Sequence, residues 1–491
     1  SCCHSAGAPQ PDGAVGGLAG VAEGEVMGTA ARGGGLGATS VQFPSMISWR
    51  NLLGTPYQRL ATLNEIIEEG PPGDRNSISS VGALLDDGDE DIRNAAATAM
   101  VNLANSYGEH GNRFAIDCLS VHLEHPDWVI RSSALQVLSQ LVAHRGEEHA
   151  VDVVGALLAS RQADVRWTGI EALQLIADRG DPRAVSRASD CLEQEDPEVR
   201  AAAVEALLQL TDRGDRHAVE EVSRRLPHED GGVRAAAAAA LGEVAQRGDR
   251  SAITALAERM EDSAVAARTA AAGALCAIGS GDPHAIGALG QRLEHPDGAV
   301  RGAVVRALVQ VAGRGDPQAV AAAASRLGHP DAGVRGSAVR ALGQLAARGE
   351  PGALTQAMLC LEDDSGDVRA AAVDALGHLC GRGDQRGLGA LLGRLEDLEE
   401  IRWAAVKVIG TVAARGDCRA LEAVCGCTAD WDEDVRIVAL EALVPLAEPG
   451  SRAALAAAEA RLEDGEDRVR RVAAEVLQQL RRDGVCESAP A

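Results

Sequence analysis

The sequence predicts an all-α protein, a right-handed α-solenoid (superhelix) of about thirteen helix pairs. The first observation is an arginine that recurs at intervals of 33 to 35 residues after one interval of 38. The second is that the residue seven positions after this marker arginine is always apolar, and is leucine in ten cases. The third is an aromatic content of 2%, so alanine and leucine fill the space between closely stacked helices. The marker arginines are Arg93, Arg131, Arg166, Arg200, Arg234, Arg268, Arg301, Arg335, Arg369, Arg402, Arg436 and Arg470.

The chain is predicted to begin with a flexible leader and to end in a short tail. Residues 1–43 contain eleven glycines and have no apolar periodicity, as expected of a disordered segment. The repeat array is predicted to span residues 44–482, and residues 483–491 form the tail.

Residues 44–73 are predicted to be a degenerate first repeat that caps the array. A helix can begin at Ser45, and the next helix spans residues 57–69. That second helix contains Arg59, which lies 34 residues before the first marker.

Each later repeat is predicted to contain two helices. The first is typified by residues 181–192, where Asp181 can cap the amino terminus and Pro182 suits the first turn. The second carries the marker, and its apolar residues recur mostly at three- and four-residue steps, so that they form one buried stripe. Around Arg200 this stripe comprises Val199, Ala203, Val204, Ala206, Leu207 and Leu210. In seven repeats an aspartate four residues before the marker can cap the second helix: Asp89, Asp127, Asp196, Asp230, Asp297, Asp331 and Asp432.

The turn between repeats carries the tripeptide Arg-Gly-Asp six times. In one copy, Gly214 can take the left-handed C′ conformation that ends a helix, and Asp215 can cap the next helix. Elsewhere this tripeptide suggests binding to adhesion receptors, but its fixed position in the repeat favours a structural role. The widest interval between markers has its extra residues near positions 106–113, which predicts an enlarged loop on one edge.

The repeated pattern Asp-x-x-Val-Arg-x-x-Ala-Val-x-Ala-Leu resembles HEAT repeats, most closely the short HEAT-like repeats of phycobilisome-lyase-type proteins. The resemblance implies a scaffold that binds another protein. It also implies a ladder in which the capping aspartates pair with marker arginines of neighbouring repeats. Five turns lack that aspartate, which leaves the ladder open before Arg166, Arg268, Arg369, Arg402 and Arg470.

Two enzymatic relatives of this architecture imply different residues. Di-iron deoxyhypusine hydroxylases place His-Glu directly after the marker, and no marker here is followed by that pair, which excludes such a site. Phycobilin lyases handle a bilin chromophore, and a lyase or lyase subunit stays open as the alternative function. No nucleophile–base pair, phosphate-binding glycine loop or zinc ligand set stands out. The sequence therefore favours a non-catalytic protein without a cofactor or metal.

The composition limits the partners and the compartment. A net charge of −25 argues against binding nucleic acid, which needs a basic surface. The eleven cysteines form no regular framework, which favours a reducing intracellular location, the cytoplasm first, with an organelle left open. No apolar run is long enough for membrane insertion.

The position five residues after each marker is predicted to face the partner, because second helices of HEAT-like arrays line the concave side. Along the chain its residues change from acidic through small to mostly basic and back to acidic. Arg306, Arg340 and Lys407 predict a basic island that attracts an acidic segment of a protein partner. Trp167 and Trp403, directly after their markers, are the predicted aromatic anchors. Free drift of exposed positions is the competing explanation.

Overall fold

The described part of the chain consists of helices and short connections. The computed structural model describes residues 55–69, 75–142 and 145–486, which contain twenty-five α-helices and no strand. The chain divides into two units, Ser1–Ile47 and Ser48–Ala491, and every described helix belongs to the second unit. The helices are α1 (Pro56–Glu69), α2 (Arg75–Gly82), α3 (Glu90–Ser106), α4 (Gly108–Leu123), α5 (Trp128–Leu141), α6 (Glu148–Ala156), α7 (Ala163–Ile176), α8 (Pro182–Asp190), α9 (Pro197–Leu210), α10 (Arg216–Ser223), α11 (Gly231–Val244), α12 (Arg250–Arg259), α13 (Val265–Gly279), α14 (Pro283–Gln291), α15 (Gly298–Ala312), α16 (Pro317–Ala324), α17 (Ala332–Leu345), α18 (Pro351–Leu359), α19 (Gly366–Leu379), α20 (Gln385–Leu392), α21 (Glu399–Val412), α22 (Cys418–Cys427), α23 (Glu433–Leu446), α24 (Arg452–Glu459) and α25 (Asp467–Cys486).

Apart from α1, the helices form twelve consecutive pairs, from α2–α3 to α24–α25. The odd-numbered second helices carry the marker arginines and contact the second helices of neighbouring repeats throughout the array. The even-numbered first helices form the other layer. The predicted all-α solenoid is therefore confirmed. Helix α1 packs on α3, where the second helix of the predicted cap repeat is expected.

The predicted helix starts are confirmed. Asp181 caps α8, since its Oδ1 accepts hydrogen bonds from the backbone N–H groups of Arg183 and Ala184 at 2.9 and 3.0 Å. The adjoining Pro182 occupies the first turn, and a 3₁₀ turn, Cys191–Glu193, completes the first helix. All seven aspartates predicted to cap second helices accept a backbone hydrogen bond there.

The predicted apolar stripe is buried between the two layers. In α9, Val204 is half-buried, while the other five predicted residues are buried: Val199, Ala203, Ala206, Leu207 and Leu210. Burying a leucine or valine side chain contributes about 1.5–3 kcal/mol, and the stripe repeats in every pair. Apolar burial is therefore distributed along the whole array.

Glycines allow the second helices to approach one another closely. A Cβ added to Gly343 in α17 would lie 2.7 Å from the Cα of Ala375 in α19. A Cβ added to Gly242 in α11 would lie 2.8 Å from the Cα of Ala274 in α13. A larger residue at either position would push the second-helix layer apart.

The turn glycines connect each repeat to the next. The N–H of Gly214 donates to the carbonyl oxygen of Val244 at the end of α11, at 2.7 Å, and φ of Gly214 is 92°. The predicted C′ position is wrong, because α9 ends at Leu210 and its C-cap, Thr211, is already extended. The left-handed glycine instead directs its N–H towards the neighbouring repeat. The same bond is made by Gly146, Gly180, Gly248, Gly281, Gly315, Gly349, Gly383 and Gly416.

The marker arginines form a ladder, but with a different aspartate from the predicted one. In α17, Arg335 donates from Nη1 to the carbonyl oxygens of His329 and Pro330 in its own turn, at 2.9 and 3.0 Å. Its Nε and Nη2 donate to the carboxylate of Asp363 at 2.7 and 2.8 Å. Asp363 stands six residues before the next marker, whereas the capping position is four before it. Equivalent ion pairs are Arg59–Asp87, Arg234–Asp262, Arg369–Asp397, Arg402–Asp430 and Arg436–Asp464.

The ladder is present at most of the turns where the sequence left it open. Ion pairs are present before Arg268, Arg369, Arg402 and Arg470, because Asp262, Asp363, Asp397 and Asp464 supply the carboxylates. Before Arg166, a neutral contact replaces the ion pair, since Arg131 Nε donates to Thr168 Oγ1 at 3.0 Å. Histidines take the ladder-aspartate position in four other turns, where Nδ1 accepts the N–H of the capping aspartate: His125, His228, His295 and His329.

Two segments differ from the predicted layout. Residues 106–113 are not a loop, because only Tyr107 separates α3 from α4, and the extra residues lengthen these helices to 17 and 16 residues. Helix α25 continues to Cys486, beyond the predicted end of the array at residue 482. The predicted leader, residues 1–43, and the helix predicted from Ser45 lie outside the described residues.

Candidate partner-binding face

The twelve residues five positions after the markers form the second-helix stripe. Ten of them are exposed, and Glu205 and Ala239 are half-buried. The residues directly after the markers lie on the same helix face, one turn earlier. The stripe is therefore a surface of the second-helix layer rather than part of its core. Its members are Thr98, Gln136, Glu171, Glu205, Ala239, Gly273, Arg306, Arg340, Asp374, Lys407, Glu441 and Glu475.

Arg306 and Arg340 lie on neighbouring second helices, α15 and α17, which contact each other. Both side chains are exposed, and each reaches back over a glycine four residues earlier. A Cβ added to Gly302 would lie 3.6 Å from Arg306 Nη1, and one added to Gly336 would lie 3.9 Å from Arg340 Nη1. Among the described residues, neither guanidinium forms an ion pair or side-chain hydrogen bond. Both remain available to a ligand.

Lys407 lies apart from this arginine pair. Helix α19, which contributes Asp374 to the stripe, stands between α17 and α21. The Lys407 ammonium lies over the ring of Trp403, 4.8 Å from its centroid, which is the geometry of a cation–π contact. The structure thus brings two of the three predicted basic residues together and places the third on an aromatic ring.

Each predicted tryptophan anchor borders a cleft. Trp167 is 56% exposed and lines a cleft of about 330 Å³ with Ile170 and Glu205. Trp403 is 39% exposed and lines a larger cleft of about 740 Å³. Flat apolar rings beside open space are surfaces on which a partner can pack.

The sequence prediction missed the acidic residues around Trp403. Asp374, Glu399, Glu400 and Glu441 line that cleft, and Asp374 and Glu441 flank Lys407 in the stripe itself. Reading the stripe across three adjacent repeats, rather than selecting its basic members, would have revealed this acidic surrounding.

Each residue of the Arg-Gly-Asp tripeptide makes a contact that stabilises the turn. Arg314 Nε donates to the carbonyl oxygen of Ala346 at 2.9 Å. Asp316 caps α16 by accepting the N–H of Ala319 at 2.8 Å, and Gly315 makes the inter-repeat bond already described. These contacts support the structural interpretation of the motif.

Metal ligands and thiols can be compared directly among the described residues. Among them, no group of three or more histidines, cysteines, aspartates and glutamates is arranged to hold a metal ion. Burial raises the pKa of the Cys191 and Cys360 thiols to about 11, which disfavours the reactive thiolate. In the same described part, every helix is too short or too polar to cross a bilayer.

The sequence profile that describes HEAT repeats matches the chain over six overlapping ranges: 78–174, 156–241, 188–276, 219–308, 286–377 and 356–444. Together these ranges cover residues 78–444, well over half of the chain. No curated protein matches this chain.

Three solved structures are similar to the chain at low sequence identity. An engineered protein is 19% identical, with a TM-score of 0.28 over 82% of this chain and 98% of its own. The karyopherin Kap121p, bound to the extreme C-terminus of the protein phosphatase Cdc14p, is 12% identical, with a TM-score of 0.49 over 86% of this chain and 54% of its own. Importin beta is 14% identical, with a TM-score of 0.46 over 89% of this chain and 67% of its own.

Proposed function

The chain belongs to the HEAT repeat family, and from that premise we propose that it is a non-catalytic scaffold that binds a protein partner on its second-helix stripe. HEAT-repeat arrays act as protein-binding surfaces in many settings, although fold alone does not determine function. The stripe runs along the layer in which second helices contact one another throughout the array. It therefore offers a continuous surface on which an extended partner segment can lie.

The observation that carries this proposal is the arginine pair of α15 and α17. Other arginines of the second helices, such as Arg335 and Arg369, are held in ladder ion pairs within the array. Arg306 and Arg340 have no such partner among the described residues. Two exposed, unpaired guanidinium groups on adjacent helices in a chain of net charge −25 favour an acidic partner segment.

The tryptophans complete the proposed surface. Trp167 and Trp403 share the stripe's side of their helices and are partly exposed. Aromatic side chains in clefts are frequent energetic centres of protein interfaces, so they are the proposed anchors. Lys407, held over Trp403, belongs to the anchor region rather than to the arginine pair.

A phycobilin-lyase-like role stays a prediction of the sequence resemblance alone, because the matched family is HEAT repeats in general. An intracellular, cytoplasmic location also stays a proposal. It is supported by eight cysteines that are free thiols: Cys118, Cys191, Cys276, Cys360, Cys380, Cys418, Cys425 and Cys427.

The proposal is tested by affinity capture with wild-type protein and an Arg306→Glu, Arg340→Glu double variant, followed by mass spectrometry. Reversing two charges at the surface should weaken partner binding about tenfold at low salt, and less at high salt. Helicity and thermal stability should stay nearly unchanged, because neither side chain supports the core.

The matched control reverses Arg250 and Arg452, exposed residues at the starts of the first helices α12 and α24. This control changes the net charge by the same amount on the other layer, so it should retain the partner. Equal retention by both double variants would place the binding site elsewhere.

A further inference from the structure

The cleft beside Trp403 is acidic, whereas the arginine pair of Arg306 and Arg340 is basic. It lies between the second helices α19, α21, α23 and α25 and has a volume of about 740 Å³. Trp403 contributes an apolar surface, together with Ile437 and Val438 of α23. The space is large enough to admit the side chain of a partner residue and part of its backbone.

Four of the six carboxylates that line this cleft form no ion pair and cap no helix within the described part of the chain. Among the described residues, no ion-pair partner is present for Asp374, Glu399, Glu400 or Glu441. Asp434, by contrast, pairs with Arg468 at 3.2 Å. Four unpaired carboxylates therefore line the cleft together with two cations, Lys407 and Arg468, and Arg468 is already paired with Glu433 and Asp434.

Lys407 shows what kind of group this surface accepts. Its ammonium lies 4.8 Å from the centroid of the Trp403 ring, where the negative face of the ring attracts a cation. An exposed, flexible lysine can move away from the ring at little cost, because Lys407 forms no ion pair with a carboxylate of the described residues. A cation from another molecule can then take its place.

We propose that the Trp403 cleft binds a lysine or arginine side chain of a basic peptide segment, and that Lys407 is a displaceable internal occupant of that site. The incoming cation stacks on Trp403, and Asp374, Glu399, Glu400 and Glu441 compensate its charge. This site is distinct from the arginine pair, which lies beyond α19 and favours an acidic segment. It stands whether or not that pair binds a partner.

The test uses a fluorescein-labelled peptide of four Lys-Gly repeats and measures its binding to the full chain by fluorescence anisotropy. Trp403→Ala should weaken binding about 3- to 30-fold, the range expected for a lost cation–π contact. Lys407→Met should strengthen binding several-fold, because it removes the competing cation and one like charge. The fully acetylated peptide should not bind.

Matched controls separate this site from general attraction to an acidic protein. Trp128→Ala removes an exposed tryptophan at the start of α5, and Glu195→Gln with Glu229→Gln removes two exposed charges from turns outside the stripe. These controls should leave binding unchanged, whereas Glu400→Gln with Glu441→Gln should weaken it. Circular dichroism confirms that each variant is folded.

Two outcomes would overturn the proposal: weaker or unchanged binding by Lys407→Met, or equal effects of Trp403→Ala and Trp128→Ala. The Arg306→Glu, Arg340→Glu variant should bind this basic peptide at least as well as wild type. The arginine-pair proposal is tested by partner capture, and the Trp403 cleft is tested by peptide binding. Failure of one proposal can therefore be distinguished from failure of the other.

Discussion

Replacing Asp363 with alanine should loosen the junction between α17 and α19. The Asp363 carboxylate accepts two hydrogen bonds from Arg335, at 2.7 and 2.8 Å, and a third from the N–H of Ser365 at 2.9 Å. The alanine variant leaves the guanidinium of Arg335 without its main partner, in a side chain that is only 17% exposed.

The magnitude follows from the burial of this pair. Exposed ion pairs contribute about 0–1 kcal/mol, whereas removing one partner of a buried pair costs about 3–5 kcal/mol. The side chains of Arg335 and Asp363 are 17% and 13% exposed, which places the pair nearer the buried case. We expect Asp363→Ala to cost about 2–3 kcal/mol in the stability of this junction at neutral pH.

The free-energy cost of Asp363→Ala should decrease at low pH. The hydrogen bond from Arg335 holds the pKa of Asp363 below its ordinary value. A carboxylate whose pKa is lowered in the folded state adds stability above its unfolded pKa of about 3.9, and that stability is lost as the pH falls through the folded pKa. The difference between wild type and variant should therefore be full at pH 7 and shrink below about pH 4.

Hydrogen exchange measured by mass spectrometry is the appropriate assay, because repeat arrays need not unfold in a single step. Exchange should accelerate in α17 and α19 at pH 7. The control is Ser337→Ala, which removes a neutral contact to Arg301 Nε at 3.1 Å and should cost about 1 kcal/mol without a titration below pH 7. Equal costs in the two variants, or an Asp363→Ala cost that stays constant down to pH 3, would refute the ionic ladder.

Two further predictions concern the turns and the second-helix layer. Gly214→Val forces a β-branched residue into left-handed geometry and should cost about 1–2 kcal/mol, while Asp215→Ala loses a helix cap at about 1 kcal/mol, both measured by hydrogen exchange in the flanking helices. Neither change should alter adhesion to integrin-type receptors, so dose-dependent receptor binding that either variant abolishes would contradict the structural role. Gly343→Ala should destabilise by about 1–3 kcal/mol through its clash with Ala375, whereas Gly273→Ala, with open space around it, should stabilise by up to about 1 kcal/mol. The same sign for both glycine variants would contradict the close approach of the second helices.

The sequence could predict the helices and their caps because these depend on local spacing. The apolar positions around Arg200 recur at helical steps, and an aspartate before a helix accepts its first N–H groups in any context. The paired architecture and the buried stripe follow from the same periodicity.

The ladder partner could not be predicted, because both candidate aspartates lie in one turn and only the approach of the neighbouring repeat decides between them. Asp430 and Asp432 are two residues apart, yet Asp430 accepts two hydrogen bonds from Arg402 while Asp432 caps α23. The prediction that the extra residues near 106–113 form a loop was wrong for a related reason. An altered period does not indicate whether added residues enter a loop or lengthen a helix.

The candidate site could be predicted only in part. Spacing placed Arg306 and Arg340 on one exposed face, because both follow a marker by five residues. The cleft around Trp403 combines side chains from successive repeats, including Asp374 and Glu441, and a position-by-position comparison does not reveal such a surface.

The most direct test of the central claim is a photo-crosslinking measurement on the captured partner. A benzophenone amino acid replaces Gly273, an exposed stripe position next to the arginine-bearing helices, or Gly352, an exposed position on first helix α18. A Cβ added to either glycine would have no atom within 4 Å beyond its chain neighbours and its own helix backbone, so both positions should accept the larger side chain equally well. The scaffold account predicts crosslinks to the partner from position 273 and none from position 352. Crosslinks from position 352, with none from position 273, would contradict binding on the second-helix stripe.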